Sequence, residues 1–313
     1  MLHLQSLRES LPLFRALGSD VRIRILETLA KNGPMHMSAI SSAVGITDGA
    51  LTPHIKALDR CGMISIEVAS GRHGVQKVCR IKEERILIET QQSGADRGVF
   101  ETEIGVGQYT AYDIYPTCGL ATEEHLIGEV DDPRHFASPE RTKSEILWFG
   151  HGYVEYMIPN FLTPAHELQE IQLSMELCSE APGSAEDWPS DIYFHINNRA
   201  LGYWTSPADF GEMPGIYNPK WWFRSWNQHG VYKLLSVNHS GTYIDGGKIS
   251  GVCIGDLGIE HGANILFRLS VPETARHVGG LTIFGRAFGN YHQDIKVRMH
   301  YKSKDCRGPG QRG

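Results

Sequence analysis

The chain has 313 residues, of which 41% are hydrophobic and 21% charged; this is ordinary for a soluble globular protein and excludes a disordered or fibrous one. Its length allows two domains with cores of their own. The net charge of −6 argues against a nucleic-acid partner, but the charge is unevenly divided. Residues 1–95 hold 12 Lys and Arg against 9 Asp and Glu, so the N-terminal part is basic and the remainder acidic.

The six cysteines are not at zinc-ligand spacing, and a chain of this length does not suggest a small disulfide-stapled fold, so free thiols are expected. The N-terminus lacks a signal-peptide pattern, and no apolar run approaches the length of a membrane span. We therefore expect a cytoplasmic protein with no membrane partner.

Two helices are predicted before the break at residues 31–34. The first has an apolar stripe at helical spacing, and Pro12 restarts it. The second begins at Ser19 or Asp20 and ends at Ala30. The stripe of the first consists of Leu4, Leu7, Leu11 and Phe14, and the inward side chains of the second are Ile25, Leu26 and Leu29.

Residues 37–81 show the pattern of a helix, a tight turn, a second helix and two strands. The short first helix begins at Ser38 and ends at Gly45, because glycine favours the left-handed end of a helix. Thr47 and Asp48 are good starters for the second helix. Alternating apolar residues then predict two strands joined by a polar turn. This order is typical of a winged helix-turn-helix.

The polar side chains of the second helix and of the wing tip are the predicted DNA contacts, because they match base edges and phosphates. Pro53 lies inside this helix and cannot bond back to Gly49, so either the helix kinks or its regular part begins at Thr52. Arg22 and Arg24 lie on the polar face of the helix that begins at Ser19 or Asp20. We expect their side chains to be solvated or to contact phosphates. The predicted contacts are Thr47, Asp48, Thr52, His54, Lys56, Arg60, Arg72 and His73.

Three segments, residues 16–26, 51–58 and 62–64, together resemble the ArsR/SmtB family of winged-helix repressors. The resemblance implies a homodimer that binds double-stranded DNA, with the first helix at the dimer interface. Packing of the apolar stripe of this helix on the domain's own core is the alternative. The paired cysteines of metal-sensing members are missing from residues 38–44, so no metal or cofactor is expected. The alternative is a three-helix packing unit without a nucleic-acid role.

The polar residues 91–98 form the predicted connection between domains 1–92 and 99–305. About ten short strands with glycine-rich turns follow, which predicts an antiparallel β-sandwich, jelly-roll-like, and an α+β multidomain chain overall. The predicted strands are 99–109, 146–158, 168–177, 191–196, 201–204, 231–237, 248–254, 265–271, 281–284 and 294–301.

All six tryptophans lie in this second domain, and four fall within residues 204–226, which otherwise have a loop pattern. Indole faces beside polar groups suit a sugar ring. The alternative is a plug at one end of the sandwich, with the acids bonded to turn backbones. The candidate ligand residues are Trp204, Asp209, Trp221, Trp222, Gln228, Tyr243, Asp245, Asn290 and Asp294.

Nucleophile signatures and paired metal-binding histidines are missing, so we do not expect an enzyme. The favoured interpretation is a DNA-binding transcriptional regulator whose β-sandwich senses a small ligand, such as a carbohydrate. One alternative is a carbohydrate-binding or interaction module without DNA binding, and a second is a glycoside-processing enzyme.

Overall fold

A computed structural model of the chain describes residues 2–4, 6–71, 74–82, 86–88, 90 and 97–304. The chain divides into two compact units, Met1–Gln92 and Ser93–Gly313. Each unit has its own hydrophobic core: the first packs helices against a small sheet, and the second packs the inner faces of long strands.

The described part of the N-terminal unit contains four helices and five short strands. The helices are α1 (Leu11–Leu17), α2 (Asp20–Asn32), α3 (Met37–Val44) and α4 (Asp48–Arg60). The strands are β1 (Leu2–Leu4), β2 (Met35–His36), β3 (Ile64–Gly71), β4 (Gly74–Ile81) and β5 (Ile86–Ile88). Strand β4 lies between β2 and β3 in an antiparallel sheet, and β1 pairs with β5 in parallel.

The ends of the two central helices follow from their terminal residues. Helix α3 ends at Gly45, which has the left-handed φ of 75° and ψ of 38°. The hydroxyl of Thr47 caps α4 by accepting a hydrogen bond from the backbone N–H of Ala50, at 3.3 Å. Helix α4 is continuous across Pro53, so the predicted alternative of a start at Thr52 is wrong.

The first predicted apolar stripe does not face the core. Leu4 belongs to β1, and Leu7, Leu11 and Phe14 are 50%, 40% and 44% exposed. The spacing was helical for Leu11 and Phe14, but other side chains of α1 pack inward. The buried apolar residues of the three main helices agree better with the pattern: Ile25, Leu29, Ile40, Val44, Leu51, Ile55 and Leu58.

Within the described residues, the second unit consists of twelve antiparallel strands. They are β6 (Arg97–Ile104), β7 (Ala111–Ala121), β8 (Ile146–Ile158), β9 (His166–Cys178), β10 (Ser190–Ile196), β11 (Arg199–Ser206), β12 (Val231–Asn238), β13 (Gly241–Ile244), β14 (Gly247–Ser250), β15 (Ile265–Val271), β16 (Leu281–Phe284) and β17 (Ile295–Ser303). Short 3₁₀ turns span Pro133–Ala137, Pro139–Lys143 and Ile254–Leu257.

The twelve strands form two layers that share one core, which confirms the predicted β-sandwich. One layer has the order β11-β10-β15-β8-β7, and the other contains β6, β17, β9, β12, β13 and β14. The short strand β16 hydrogen-bonds to both β8 and β9, so it joins the layers at one end. A turn at Asn197 and Asn198, with φ of 48° and 63°, connects β10 to β11.

Several predicted strand limits are wrong. The first predicted strand of this unit ends at Ile104 rather than residue 109, and the strand predicted for 248–254 stops at Ser250. Strands β7 and β13 were not predicted. Strand β7 contains polar residues and Pro116 on exposed positions, which obscure the alternation that normally indicates a strand.

Candidate nucleic-acid interface

Helix α4 presents one continuous face to solvent. Successive residues are rotated by about 100° in an α-helix. Gly49, Pro53, Lys56 and Arg60 therefore lie on one face, with Ala50 at its side, and all five are exposed. The opposite face packs into the core through its buried apolar residues, Leu51, Ile55 and Leu58. The surface available to a partner is thus small and apolar in the first half of α4 and basic in the second.

Three of the predicted contacts bond within the protein. Thr47 is the N-cap of α4. Asp48 accepts a hydrogen bond from the hydroxyl of Ser41 on α3, which holds the two helices together. The hydroxyl of Thr52 donates to the backbone carbonyl of Asp48, at 3.1 Å. Their side chains stabilise the helix-turn-helix, and Asp48 and Thr52 lie at the flanks of the exposed face rather than at its centre.

The remaining predicted contacts on α4 are one histidine and two cations. His54 is half-buried, and its Nδ1 has no hydrogen-bond partner among the described residues. Lys56 and Arg60 are exposed, and the Arg60 Nε donates to the carbonyl of Lys56 at 3.1 Å. These two cations make the second half of the exposed face basic. Arg72 and His73 lie outside the described residues.

The arginines of α2 also bond within the protein, which the sequence did not indicate: Arg24 is exposed and Arg22 half-buried. Arg22 donates to the backbone carbonyls of Ala16 and Arg15 at the end of α1. The Nη2 of Arg24 donates to the carbonyl of Val44 at 2.6 Å, at the C-terminal end of α3. Both arginines therefore tie helices together, because the last carbonyls of a helix lack partners within it.

Sequence reasoning missed Gly49, Ala50 and Pro53, because a search for polar side chains passes over them. Helical spacing could have found them: they lie opposite the apolar stripe of Leu51 and Ile55. A Cβ built on Gly49 would meet no atom within 4 Å, so nothing in the described part of the N-terminal unit packs over Gly49.

Helices α3 and α4, the tight turn between them and the hairpin of β3 and β4 define the N-terminal unit as a winged helix-turn-helix. Residues 19–65 match the family described as "Winged helix-turn-helix DNA-binding". No curated protein matches the chain.

Three solved structures show partial similarity. A homodimeric winged helix-turn-helix domain from Mycobacterium bovis, titled a possible ArsR-family transcriptional regulator, is 26% identical over 23% of this chain and 63% of that chain, with a TM-score of 0.21. A transcriptional regulator homologue from Pyrococcus horikoshii is 27% identical over 21% of this chain and 66% of that one, with a TM-score of 0.20. The insecticidal delta-endotoxin Cry8Ea1 from Bacillus thuringiensis is 9% identical over 76% of this chain and 30% of that one, with a TM-score of 0.27.

The predicted aromatic ligand site has a different geometry from the one expected. Trp222 is only 5% exposed and packs with Trp148, Cys178, Phe284 and Phe288 in a cluster distinct from the sandwich core. Because neighbouring side chains of a strand point to opposite faces, this cluster lies on the outer face of β8, β9 and β16. We call the segment that covers it, residues 221–226, the tryptophan cap.

Hydrogen bonds fix the tryptophan cap in place. The indole N–H of Trp222 donates to the carbonyl of Asn227 at 2.9 Å, and that of Trp221 donates to the carbonyl of Glu123 at 2.6 Å. The amide of Gln228 donates to the carbonyls of Phe223 and Trp226, each at 2.9 Å. The alternative prediction is a plug of Trp221 and Trp222 at one end of the sandwich. In the structure Trp222 is buried and Trp221 half-buried, and both lie over a sheet face.

A buried carboxylate holds the neighbouring loop. Glu176 is fully buried, and its oxygens accept hydrogen bonds from the backbone N–H groups of Gly230, Asn290 and Tyr291 at 2.8 to 2.9 Å. Asn290, a predicted ligand residue, also accepts from the backbone N–H of Ile216 through its side chain. The side chains of Glu176 and Asn290 therefore stabilise loops.

Asp209 is another predicted ligand residue that is fully buried. Its Oδ2 accepts a hydrogen bond from the N–H of Ala181 at 3.0 Å, whereas Oδ1 has no partner within the described chain. Burial raises the pKa of Asp209 to about 7. This carboxyl is therefore an internal group whose charge depends on pH.

The other predicted ligand residues contact different side chains. Lys233 forms an ion pair with Asp245 at 2.7 Å and lies over the ring of Trp204 at 4.2 Å. Asp294 pairs with Arg286 at 3.1 Å, and burial, followed by the charge of a nearby glutamate, raises its pKa to about 6. Tyr243 lies half-buried in β13. Asp209, Asp245 and Asp294 thus have separate sets of contacts.

A cleft of about 490 Å³ lies elsewhere in the second unit, between the β10–β11 turn and the loop around residue 260. It offers amide, carboxylate and guanidinium groups. The polar residues that line it are Asn197, Asn198, Arg199, Asp256, Glu260 and Asn264.

Within the described residues, no cluster of three or more His, Cys, Asp or Glu side chains could hold a metal ion. None of the described helices combines the length and apolar character needed to cross a membrane. Five cysteines are free thiols in the described chain, and Cys79, Cys118 and Cys178 are buried. Cys306 lies outside the described residues.

Proposed function

We propose that the chain is a DNA-binding transcriptional regulator of the ArsR type. The observation that carries this proposal is the exposed face of α4, which is supported by α3 from behind and ends in the cations Lys56 and Arg60. Such a helix fits the major groove, while the β3–β4 wing lies along the backbone. The basic excess of the N-terminal residues favours the same partner, double-stranded DNA.

A gel-shift assay tests this proposal with duplexes selected from a random library. Lys56→Ala and Arg60→Ala remove cations from the exposed face and are expected to lower affinity about tenfold each. The plot of log affinity against log salt should become shallower by about one for each phosphate that the variant no longer neutralises. Arg72→Ala tests the predicted wing-tip contact in the same assay. Lys31→Ala, an exposed lysine of α2, is the control. Unchanged binding by the Lys56 and Arg60 variants contradicts the interface.

The regulator is proposed to act as a homodimer. Leu7, Leu11 and Phe14 form an exposed apolar surface around α1, which a second copy would cover. Two copies would place their α4 helices in successive major grooves, about 34 Å apart. Sedimentation analysis of the wild type and of Phe14→Glu tests this. A dimer that dissociates in the variant supports the interface, and a monomeric wild type contradicts it.

The second unit is proposed to sense a small polar ligand with several hydroxyl or amide groups, a class that includes carbohydrates. The cleft at residues 197–199 and 256–264 supports this, because the exposed side chains of Asn198, Arg199 and Glu260 offer hydrogen-bond donors and acceptors. A ligand there would change DNA affinity by its differential affinity for two arrangements of the dimer.

Calorimetry against a panel of sugars separates the two candidate ligand sites. Arg199→Ala removes a cleft donor, and Trp221→Ala removes the half-exposed indole of the tryptophan cap. Loss of binding with Arg199→Ala alone supports the cleft. Loss of sugar binding with Trp221→Ala alone supports the aromatic site. If no sugar binds the wild type or either variant, sugar sensing is contradicted.

A further inference from the structure

The exposed face of α4 contains two residues that weaken a helix. Glycine is less favourable than alanine in a helix interior, and proline is less favourable still. Pro53 also leaves the carbonyl of Gly49 without its helical donor. Both residues are exposed, and a Cβ on Gly49 would have open space. Packing within the described protein therefore does not account for Gly49.

Together with Ala50, these residues form a shallow apolar step at the front of the proposed DNA interface. The polar side chains beside it are already bonded: Asp48 to Ser41, and Thr52 to a carbonyl of its own helix. Few side-chain hydrogen-bonding groups are thus left over to select a base at this part of α4. What remains is a surface that lets DNA approach closely and offers only apolar contact.

On the base edges of the major groove, the apolar group is the 5-methyl of thymine. We propose that Ala50 and Pro53 recognise thymine methyl groups in the operator, with Gly49 allowing the backbone of α4 to approach the bases. This inference rests on the proposed DNA-binding function and specifies how that same surface selects its sequence. Lys56 and Arg60, further along the face, would hold the helix to the phosphates.

The test uses the duplex enriched from a random library and replaces its thymines, one at a time, by deoxyuridine. This change removes one methyl group and leaves the hydrogen-bonding pattern of the base intact. Burial of one such carbon contributes roughly 0.8 kcal/mol, so wild-type affinity should fall about fourfold at a contacted thymine in each half-site. Uridine outside the half-sites should have no effect.

Two variants locate the contact. Pro53→Ser and Ala50→Gly remove apolar surface from the step, and each should abolish the difference between thymine and deoxyuridine at the base it faces. Ala30→Ser, an exposed position of α2, should keep the full difference. Helical circular dichroism checks that the variants are folded, and serine at position 53 should not weaken α4 because proline is the poorer helix former.

The outcomes separate the inference from the proposed function. A selected duplex that binds equally well with every thymine replaced, or that lacks thymine in its half-sites, overturns the inference and leaves DNA binding intact. Retention of the full methyl effect in both step variants also overturns it. Failure of the wild type to bind any duplex at low salt overturns the proposed function and the inference together.

Discussion

The exposed face of α4 and the tryptophan cap differ in what their side chains are free to do. The sequence predicts binding at both, from polar residues in one and aromatic residues in the other. In the cap, Trp222 is buried, and the indole N–H groups of Trp221 and Trp222 donate to backbone carbonyls. On α4, the central residues of the exposed face pack against nothing above them in the described chain. Unused surface, and not residue type, therefore distinguishes a candidate interface from a structural element.

Truncation of the buried indole of Trp222 is the strongest test of this comparison. Trp222→Ala should destabilise the second unit by about 4 kcal/mol, because a large buried aromatic is lost and a cavity remains. Its neighbour Phe223 is 52% exposed, so Phe223→Ala should change stability by less than about 1 kcal/mol. All six tryptophans lie after residue 147, so their fluorescence during urea unfolding reports the second unit alone. Equal effects of the two changes would show that the cap is not a packed structure.

The buried carboxyl near the cap makes the second unit sensitive to pH. The pKa of Asp209 is raised to about 7 by burial, so the folded state keeps a proton that the unfolded state loses. Stability should therefore fall as pH rises from 4 to 7 and level off above 7. Between pH 5 and pH 8 the loss of the Asp209 proton should lower the free energy of unfolding by about 3 kcal/mol. Asp209→Asn should remove this part of the slope, and parallel pH profiles for wild type and variant would contradict the assignment.

Glu176 tests whether the loop beside the cap is held by charge. Glu176→Gln replaces an acceptor oxygen by an N–H₂ group that faces backbone donors, and should destabilise the second unit by about 2 kcal/mol. Glu167→Gln, at an exposed position of the same strand, should be nearly neutral. If Glu176→Gln left the stability of the second unit unchanged, the loop would be held by its other contacts.

The smallest expected effect has the opposite sign and concerns α4. Gly49→Ala should stabilise the N-terminal unit by about 0.5 kcal/mol, because alanine is the better helix former and its Cβ meets no atom. Under the proposed function, the same change should weaken DNA binding. Gly33→Ala is the matched control: it also has open space, but its φ of 72° makes alanine destabilising. Thermal unfolding followed by helical circular dichroism compares the two variants.

Local signals explain which features the sequence could predict. Glycine marks the end of α3 and threonine the start of α4, and regular alternation identifies β9. The start of α3 is less well marked: it lies at Met37, after His36, and not at the predicted Ser38. The partners of Asp48, Arg24 and Glu176 could not be predicted in this way, because each depends on a contact made by the tertiary fold. The same holds for Trp222, since an aromatic-rich loop has the same composition whether it binds a ligand or covers a sheet.

The position of β16 in the chain has a consequence for biosynthesis. The hydrophobic core of the N-terminal unit is built from residues between Leu2 and Ile88, so this core can form while the rest of the chain is being translated. The long strands β8 and β9 are joined through β16, which emerges from the ribosome only after both are complete. A nascent chain stalled before Leu281 would therefore expose unpaired strand edges, which promote aggregation.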